Sequence, residues 1–175
     1  KKRDPEKART WLNGKKSDLV RYYEKYLMTA HYLGEEDISL AKSVQLENIS
    51  PANVTFATSD LTPDNVFIKE GRAMIIDPKP GMLGIPLIDL AMFSTLVGEV
   101  YNLPDGNESA KLIRNFAFSK DLEDILECDS KVIKKLFELG EARQYSLSSR
   151  FRIGKDPRAE LFAKKSVEKL KDVLR

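Results

Sequence analysis

Residues 58–68 read TSDLTPDNVFI, and residues 73–78 read AMIIDP. These two stretches predict the centre of the fold. The segments 66–68 and 73–76 have the apolar composition of short β-strands, and the connection between them contains Gly71, which can adopt a positive φ. We therefore predict a β-hairpin that follows directly on a polar loop.

Three side chains that carry oxygen atoms fall at one end of this predicted hairpin. Asp60 and Asn65 lie in the loop before the first strand, and Asp77 ends the second strand. Because a short hairpin returns the chain close to where it began, we expect Asp77 to lie beside Asp60 and Asn65. Carboxylate and amide oxygens suit a hard cation such as Mg²⁺ and the phosphates that it bridges. A loop of Pro, Asp and Asn is also an ordinary turn that needs no function.

A family resemblance separates these two interpretations. The six residues from Asp60 to Asn65, DLTPDN, resemble the catalytic loop of the aminoglycoside phosphotransferase family, which shares the protein-kinase-like fold. Asp77, after two isoleucines, resembles the metal-binding end of the family's next strand. Residues 84–91, GIPLIDLA, resemble the G-D-P-x-x-D-L-A segment that opens the following helix. The motifs occur in the family's order with short gaps, within about residues 54–93.

The resemblance implies a role for each matching residue. Asp60 would be the catalytic base toward an acceptor hydroxyl, and Asn65 and Asp77 would bind Mg²⁺ and the phosphates of ATP or GTP. Asp89 would brace the catalytic loop through the backbone amides of that loop. The implied reaction is transfer of the γ-phosphoryl group to a hydroxyl, and we expect the acceptor to be a small molecule.

The sequence departs from the family pattern at two places. Thr58 stands where the family usually has His, two residues before the catalytic Asp, and Ile85 stands where the family has Asp before the Pro. Neither departure removes a residue that would contact metal or proton. Asp77 is followed by Pro78 rather than by the Phe-Gly of protein kinases, which favours a relative of the antibiotic kinases.

The predicted fold is mostly α with one small β-hairpin, and it resembles the helical C-terminal lobe of a protein-kinase-like fold. We expect a single lobe over residues 1–175, with a helical lead-in at 1–53, the motif-bearing segment at 54–93 and a helical remainder at 94–175. Nothing before Asp60 supplies the glycine-rich loop and lysine of an N-terminal lobe. The resemblance therefore implies that such a lobe precedes this chain in the full-length protein.

Capping signals and apolar periodicity predict the individual helices. Gly14 suggests a break after a short helix, and Ser17 is a plausible N-cap for the next one. Ser130 is the expected N-cap of a long amphipathic helix in which Gly140 is a possible kink. The predicted helices span about residues 5–12, 17–33, 35–46, 86–101, 108–118, 122–126, 130–151 and 157–175.

Composition limits the class of protein. Hydrophobic residues make up 42% and charged residues 32%, which is typical of a globular protein, and the net charge of +2 does not call for a nucleic-acid or membrane partner. No apolar run has the length of a membrane span. The single cysteine, Cys128, suits a reducing compartment, so we expect a cytoplasmic protein.

Two other functions are compatible with the sequence. The chain is a non-catalytic kinase-like remnant, acting as a protein-binding module, if no N-terminal lobe accompanies it. It is a helical nucleic-acid-binding module if the basic residues near its end form one patch. Glu160, Glu168 and Asp172 are interleaved with those cations, which favours an ordinary solvated helix face over the nucleic-acid interpretation.

Overall fold

The computed structural model describes residues 4–26, 34–44, 46, 49–57, 61–77 and 83–175. In these ranges the α-helices are α1 (Pro5–Tyr26), α2 (Glu35–Ser43), α3 (Pro86–Thr95), α4 (Gly106–Ala117), α5 (Lys120–Leu126), α6 (Ser130–Arg152) and α7 (Arg158–Leu174). The strands are β1 (Thr55–Phe56), β2 (Val66–Lys69), β3 (Arg72–Ile75) and β4 (Leu83–Gly84). The predicted mostly helical fold with one small hairpin is confirmed, and the pairing of β1 with β4 is an addition that the sequence did not indicate.

The core lies where α6 packs between α3 and α7. Phe137 and Ala142 of α6 are fully buried, as are Ala91 of α3 and Leu170 of α7. The largely apolar α3 is covered by α4 on a further side. Burial of this kind stabilises a fold by about 25 cal/mol for each Å² of apolar surface removed from water. No helix in the described ranges has both the length and the apolar character needed to cross a membrane.

The first helix corrects the predicted break at Gly14 and the predicted N-cap at Ser17. One continuous helix, α1, runs through both residues. Leu12 and Tyr23 are buried in the core from the two halves of this helix. A glycine inside a helix costs only about 1 kcal/mol relative to alanine, so tertiary packing outweighs the local signal. The rest of the predicted helix, residues 27–33, lies outside the described residues.

The helix that carries Asp89 reaches the predicted end near Tyr101 but changes its hydrogen bonding on the way. After α3, residues Leu96–Val100 form a single π-helical turn, in which the Tyr101 N–H donates to the Leu96 carbonyl at 2.9 Å. The wider turn is closely packed, because a Cβ added to Gly98 would lie 2.8 Å from the Cβ of Ala110 in α4. This turn places Leu96 and Val100 on the wall of one cavity and Glu99 in a separate polar cluster, both described below.

The N-cap of the long helix α6 lies one residue before the predicted position. Asp129, and not Ser130, is the N-cap, and its carboxylate accepts the Lys131 backbone N–H at 2.7 Å. Gly154, with φ of +74°, follows the end of this helix, since glycine adopts that conformation without a Cβ penalty. The last helix, α7, then packs back along α6.

Strands β1 and β4 bracket the motif-bearing segment. Thr55 pairs with Gly84 and Phe56 pairs with Leu83, so the chain leaves β1, passes through loop and hairpin, and returns to its starting point. A Cβ added to Gly84 would lie 2.6 Å from the Cβ of Ala57, which explains why glycine occupies this position. Because α3 starts two residues after β4, Asp89 is carried back toward the loop that follows β1.

Candidate functional site

The predicted β2–β3 hairpin forms, and each of its strands reaches one residue further into the connection than expected. Its register pairs Val66 with Ile75 and Phe67 with Met74, and its two-residue turn consists of Glu70 and Gly71. Both turn residues have positive φ, 52° and 71°, which is the requirement of the type I′ turn that matches the twist of two antiparallel strands. The prediction that Gly71 supplies a positive φ is confirmed.

The hairpin brings the backbones around Asn65 and Asp77 together. The Ile76 N–H donates to the Asn65 carbonyl at 2.9 Å, one step beyond the last strand pair. Asp77 follows immediately, is exposed, and has φ of 49°, in the left-handed region that Asp tolerates better than most residues. Asn65 is partly buried. Asn65 and Asp77 therefore lie at the same end of the hairpin, where the register places Ile76 directly opposite Asn65.

Asp60, the third of these residues, lies outside the described residues, as does the preceding Thr58. The loop is described again from Leu61 onward. Its last turn is a short 3₁₀-helix, Pro63–Asn65, in which the Asn65 N–H donates to the Thr62 carbonyl at 3.0 Å. This turn connects the loop directly to the first residue of β2.

A contact that the sequence did not indicate ties this turn to the helical core. The hydroxyl of Tyr101, at the end of the π-helical turn, donates to Oδ2 of Asp64 at 2.6 Å. Asp64 is one of the two acidic residues of the loop motif, and this bond gives it a structural partner. The only available signal was the polar, turn-prone sequence around Tyr101, which does not identify a partner so distant along the chain.

Asp89, the residue expected to brace the loop, lies in the first turn of α3. The side chain is partly buried, and Asp89 and Leu61 together line two cavities on either side of the loop. The smaller cavity, of about 300 Å³, is otherwise apolar and is bounded by Leu90 and Phe116. A carboxylate in such surroundings is stable only with hydrogen-bond partners.

The larger cavity, of about 570 Å³, lies between the loop and helix α6. Leu61 and Thr62 form its edge on the loop side, and Asp89 lies on its α3 wall. Arg143 and Arg152 line it from α6. A volume of this size is within the range of small-molecule sites, which is about 300–1,000 Å³.

The donor set at the root of the hairpin fits a hard cation. Asn65 and Asp77 offer amide and carboxylate oxygens, the ligand type that Mg²⁺ prefers, and the exposure of Asp77 leaves room for water and phosphate. Across the described ranges, His, Cys, Asp and Glu side chains form no group of three suited to a metal ion. Asp60 is outside those ranges, and Asn65 would contribute an amide oxygen in place of a carboxylate.

The hairpin exposes an unusual amount of apolar surface. Both of its faces are affected, since Ile68 is 73% exposed and Phe67, its neighbour on the opposite face, is 50% exposed. Met74, Ile75 and Ile76 are also exposed. An isolated two-stranded hairpin is marginally stable in water, and clustered apolar residues at a surface usually mark an interaction site.

The basic residues near the end of the chain are largely paired with carboxylates. Four pairs join α7 to its own residues or to other elements: Lys164 with Glu160, Lys165 with Glu99, Lys169 with Glu141, and Lys171 with Asp37. Arg152 and Arg158 both contact Asp156. This pairing lowers the positive potential that a nucleic acid would meet on this surface.

A second polar cluster is built around Glu99, on the face of the π-helical turn away from the loop. Oε1 of Glu99 accepts the Tyr145 hydroxyl at 2.6 Å, and Oε2 is paired with Lys165. Burial raises the pKa of Glu99, but these hydrogen bonds outweigh it and hold the net pKa below the usual range. Burial and the bond to Glu99 raise the pKa of Tyr145. Since every charge named here has a partner, we interpret this cluster as structural.

Glu99→Gln is expected to make the stability of the chain less dependent on pH. A glutamate whose pKa is lowered by folding contributes stability above its unfolded pKa of about 4.3, and this contribution disappears as the pH falls through the folded value. At about pH 7 the free energy of unfolding of the variant should therefore be lower by roughly 1 kcal/mol. This is the contribution of a charge-assisted hydrogen bond, reduced because Glu99 is partly exposed. Urea unfolding at neutral and at acid pH measures the difference, which should shrink on acidification.

The matched control for this prediction is Glu160→Gln. Glu160 pairs with Lys164 on the exposed side of α7 at 2.9 Å, a surface pair worth about 0.3–0.5 kcal/mol. An equal loss for both variants at every pH would contradict the role given to Glu99.

No protein-family model, no curated protein and no solved structure matches this chain. Its function therefore has to be inferred from its own residues and contacts.

Proposed function

We propose that this chain is the C-terminal lobe of an ATP-dependent phosphotransferase similar to the aminoglycoside phosphotransferase family. It would transfer the γ-phosphoryl group of ATP, or of GTP, to a hydroxyl of a small molecule. One observation supports the proposal above the others: the Ile76–Asn65 backbone hydrogen bond closes the hairpin at its root, so Asn65 and Asp77 lie at the same end of it. Two residues of the motif that share a cation have to lie at one end of the hairpin.

In this mechanism Asp60 orients the acceptor hydroxyl and takes its proton as the bond to phosphorus forms. Asn65 and Asp77 would hold Mg²⁺, which supplies positive charge to offset the phosphate oxygens. Asp89 positions the loop and does not contact the reacting atoms. The supporting facts are that Asp89 and Leu61 line the same cavities and that the loop turn is fixed to Tyr101 through Asp64.

The proposal includes an N-terminal lobe in the full-length protein. The exposed apolar side chains of the hairpin, led by Ile68 and Phe67, support this, because they offer the surface against which such a lobe and a nucleotide base would pack. A cytoplasmic location is part of the same proposal. It is supported by the presence of one cysteine, Cys128, with no second thiol in the sequence to oxidise with it.

A second candidate function is a non-catalytic module that binds another protein through the same hairpin. The exposed apolar face of the hairpin favours it equally. The two functions differ in a measurable way, since the module predicts no ATP turnover by the complete protein. The nucleic-acid alternative is disfavoured, because carboxylates pair with most of the cations near the end of the chain.

Asp77→Asn in the full-length protein is expected to weaken Mg²⁺ binding. Replacing a charged ligand by a neutral one should cost at least the roughly 10- to 100-fold in affinity that follows loss of a partner around a metal site. The apparent Mg²⁺ affinity can be measured in the presence of a non-hydrolysable ATP analogue by calorimetry, and the Mg²⁺ dependence of turnover should shift in parallel.

Glu70→Gln is the matched control, because Glu70 is an exposed acid at the far end of the same hairpin. Its Mg²⁺ affinity should equal that of the unaltered protein. If Asp77→Asn binds Mg²⁺ and nucleotide as tightly as this control, Asp77 does not hold the metal. If the unaltered full-length protein turns over no nucleotide with any hydroxyl acceptor, the binding module becomes the better interpretation.

A further inference from the structure

The larger cavity has a charge pattern that selects among acceptors. Its lining contains two cationic side chains, Arg143 and Arg152, and one carboxylate, Asp89. The proposed function already assigns Asp89 to the loop, and the inference that follows rests on that proposed function. The net charge that the lining presents to a ligand therefore depends on whether the two arginines are already paired with carboxylates.

Arg152 is already neutralised by a carboxylate. Its Nε lies 3.3 Å from Oδ2 of Asp156, and one of its terminal nitrogens donates to the Ser148 carbonyl at 3.3 Å. Asp156 also binds Arg158 in a contact of 2.8 Å. Arg152 thus offers hydrogen-bond donors to the cavity, but most of its positive charge is neutralised by Asp156.

Arg143 is different, because it makes no hydrogen bond or ion pair with any residue in the described part of the chain. It is partly buried on α6, between the larger cavity and a third cavity of about 130 Å³ beside α1. Asp18, the carboxylate that lines this third cavity, lies 3.3 Å from Lys15 and so already has a counter-ion. A guanidinium with no counter-ion at a cavity wall favours an anionic ligand.

The remainder of the wall is suited to an apolar body with one polar end. Met92, Leu96, Leu147 and Phe151 line the cavity, and Phe151 is 66% exposed at its rim. Beside Arg143, the amide of Gln144 donates to the Ser148 hydroxyl at 3.1 Å, and both side chains are buried. Apolar walls with a few fixed polar groups are typical of small-molecule sites.

We propose that this cavity binds the acceptor, and that the acceptor carries an anionic group, a carboxylate or a phosphate, which pairs with Arg143. The hydroxyl end of the molecule then lies toward Leu61 and Thr62 at the loop, and the apolar part lies along α3 and α6. A polycationic acceptor, such as an aminoglycoside, is disfavoured by this lining, because the cavity offers it one carboxylate and two guanidinium groups.

A series of four benzyl alcohols that differ only in the para substituent tests the sign of the charge. The probes are para-(hydroxymethyl)benzoate, para-(hydroxymethyl)phenylphosphonate, benzyl alcohol and para-(aminomethyl)benzyl alcohol. Binding to the full chain is measured by NMR titration or calorimetry without nucleotide or Mg²⁺. We expect the two acids to bind about tenfold or more tightly than the neutral and cationic members, the scale of one charge-assisted hydrogen bond. The order of the two acids identifies carboxylate or phosphate as the preferred group.

Three variants assign the effect to Arg143. Arg143→Gln should lose the preference for the acids, and Arg143→Lys should keep part of it, because lysine retains the charge without the bidentate geometry. Arg150→Gln makes the same chemical change on the same helix at a position that does not line the cavity, and it should bind all four probes as the unaltered chain does.

The ligand series on the unaltered chain needs no substitution, so it decides the proposal even if Arg143→Gln fails to fold. Equal affinity for all four probes, tighter binding of the amine, or no saturable binding of any probe would overturn the anionic preference. These outcomes are distinct from failure of the proposed function. If the acids bind through Arg143 but the full-length protein phosphorylates nothing, the cavity is a ligand site without phosphoryl transfer. If the amine is phosphorylated best, the transferase stands and the anionic preference falls.

Discussion

The Asp60→Asn variant of the full-length protein is expected to transfer phosphoryl groups about 100- to 10,000-fold more slowly than the unaltered protein, the usual contribution of a positioned general base. Asparagine keeps the size of aspartate and can still hydrogen-bond the acceptor hydroxyl, but it cannot take the proton. Nucleotide affinity should change little, because Asn65 and Asp77, and not Asp60, are assigned to the metal and phosphates. Steady-state turnover with saturating ATP, together with a nucleotide-binding titration, measures both quantities.

Asp64→Asn is the control for this substitution, since it makes the same chemical change in the same loop. Asp64 is exposed and accepts a hydrogen bond from the Tyr101 hydroxyl at 2.6 Å, which the carbonyl of asparagine can also accept. Turnover should stay within about threefold, because surface substitutions usually change free energies by no more than about 0.5 kcal/mol. Near-normal turnover of Asp60→Asn would remove Asp60 from the role of base. Equal, large losses in both variants would indicate that the loop had been disturbed as a whole.

The hairpin was predictable because its determinants are local. Two apolar segments with a glycine in the short connection between them predicted a hairpin, although the observed two-residue turn, which fixes the register of the strands, is tighter than the expected connection of residues 69–72. That register places Asn65 and Asp77 at the same end of the hairpin. What local sequence did not provide is the β1–β4 pairing, which joins residues on either side of the whole motif and depends on close packing of Gly84 against Ala57.

The start of the chain was predicted wrongly for the opposite reason. Gly14 and Ser17 are local signals for a break and a cap, and each is worth about 1 kcal/mol. The continuous helix buries Leu12 and Tyr23 on either side of these residues. Burying one large apolar side chain is worth about 1.5–3 kcal/mol, so two of them outweigh the local preference. Sequence alone shows the signals but not the partners that override them.

The larger cavity, which we propose as the acceptor site, was the least predictable part of the candidate site. Its walls come from the loop, from α3 with its π-helical turn, and from α6, which are far apart in the sequence. Arg143 lies in a helix whose apolar periodicity is clear, but periodicity does not reveal which charged residue faces a cavity and which has a counter-ion. The proposed catalytic motif and the proposed acceptor preference thus depend on different kinds of information, the first on local spacing and the second on tertiary packing.

Gly140→Ala is expected to destabilise the chain, although alanine is the better helix former. Gly140 lies in the middle of α6, where the sequence suggested a kink, and the helix is assigned without interruption through it. An added Cβ would lie 2.6 Å from the Ile88 carbonyl oxygen and 2.7 Å from the Cβ of Ala91. Both contacts are with α3 in the core and the nearer one is with backbone, so relief requires the two helices to move apart. We expect a loss of about 1–3 kcal/mol in the free energy of unfolding, the usual cost of overpacking a core.

Gly14→Ala provides a control of opposite sign. Gly14 is also inside a helix, but nothing lies within 4 Å of a Cβ added there. Alanine at this position should stabilise the chain by about 0.5–1 kcal/mol through helix propensity alone. Urea unfolding of the two variants should therefore give shifts in opposite directions. If both variants were stabilised alike, α3 and α6 would not cross closely at Gly140. That crossing also sets Asp89 and Arg143 on two walls of the larger cavity. Such a result would therefore contradict the geometry of this cavity and the acceptor preference inferred from it. The geometry of the hairpin would be unaffected.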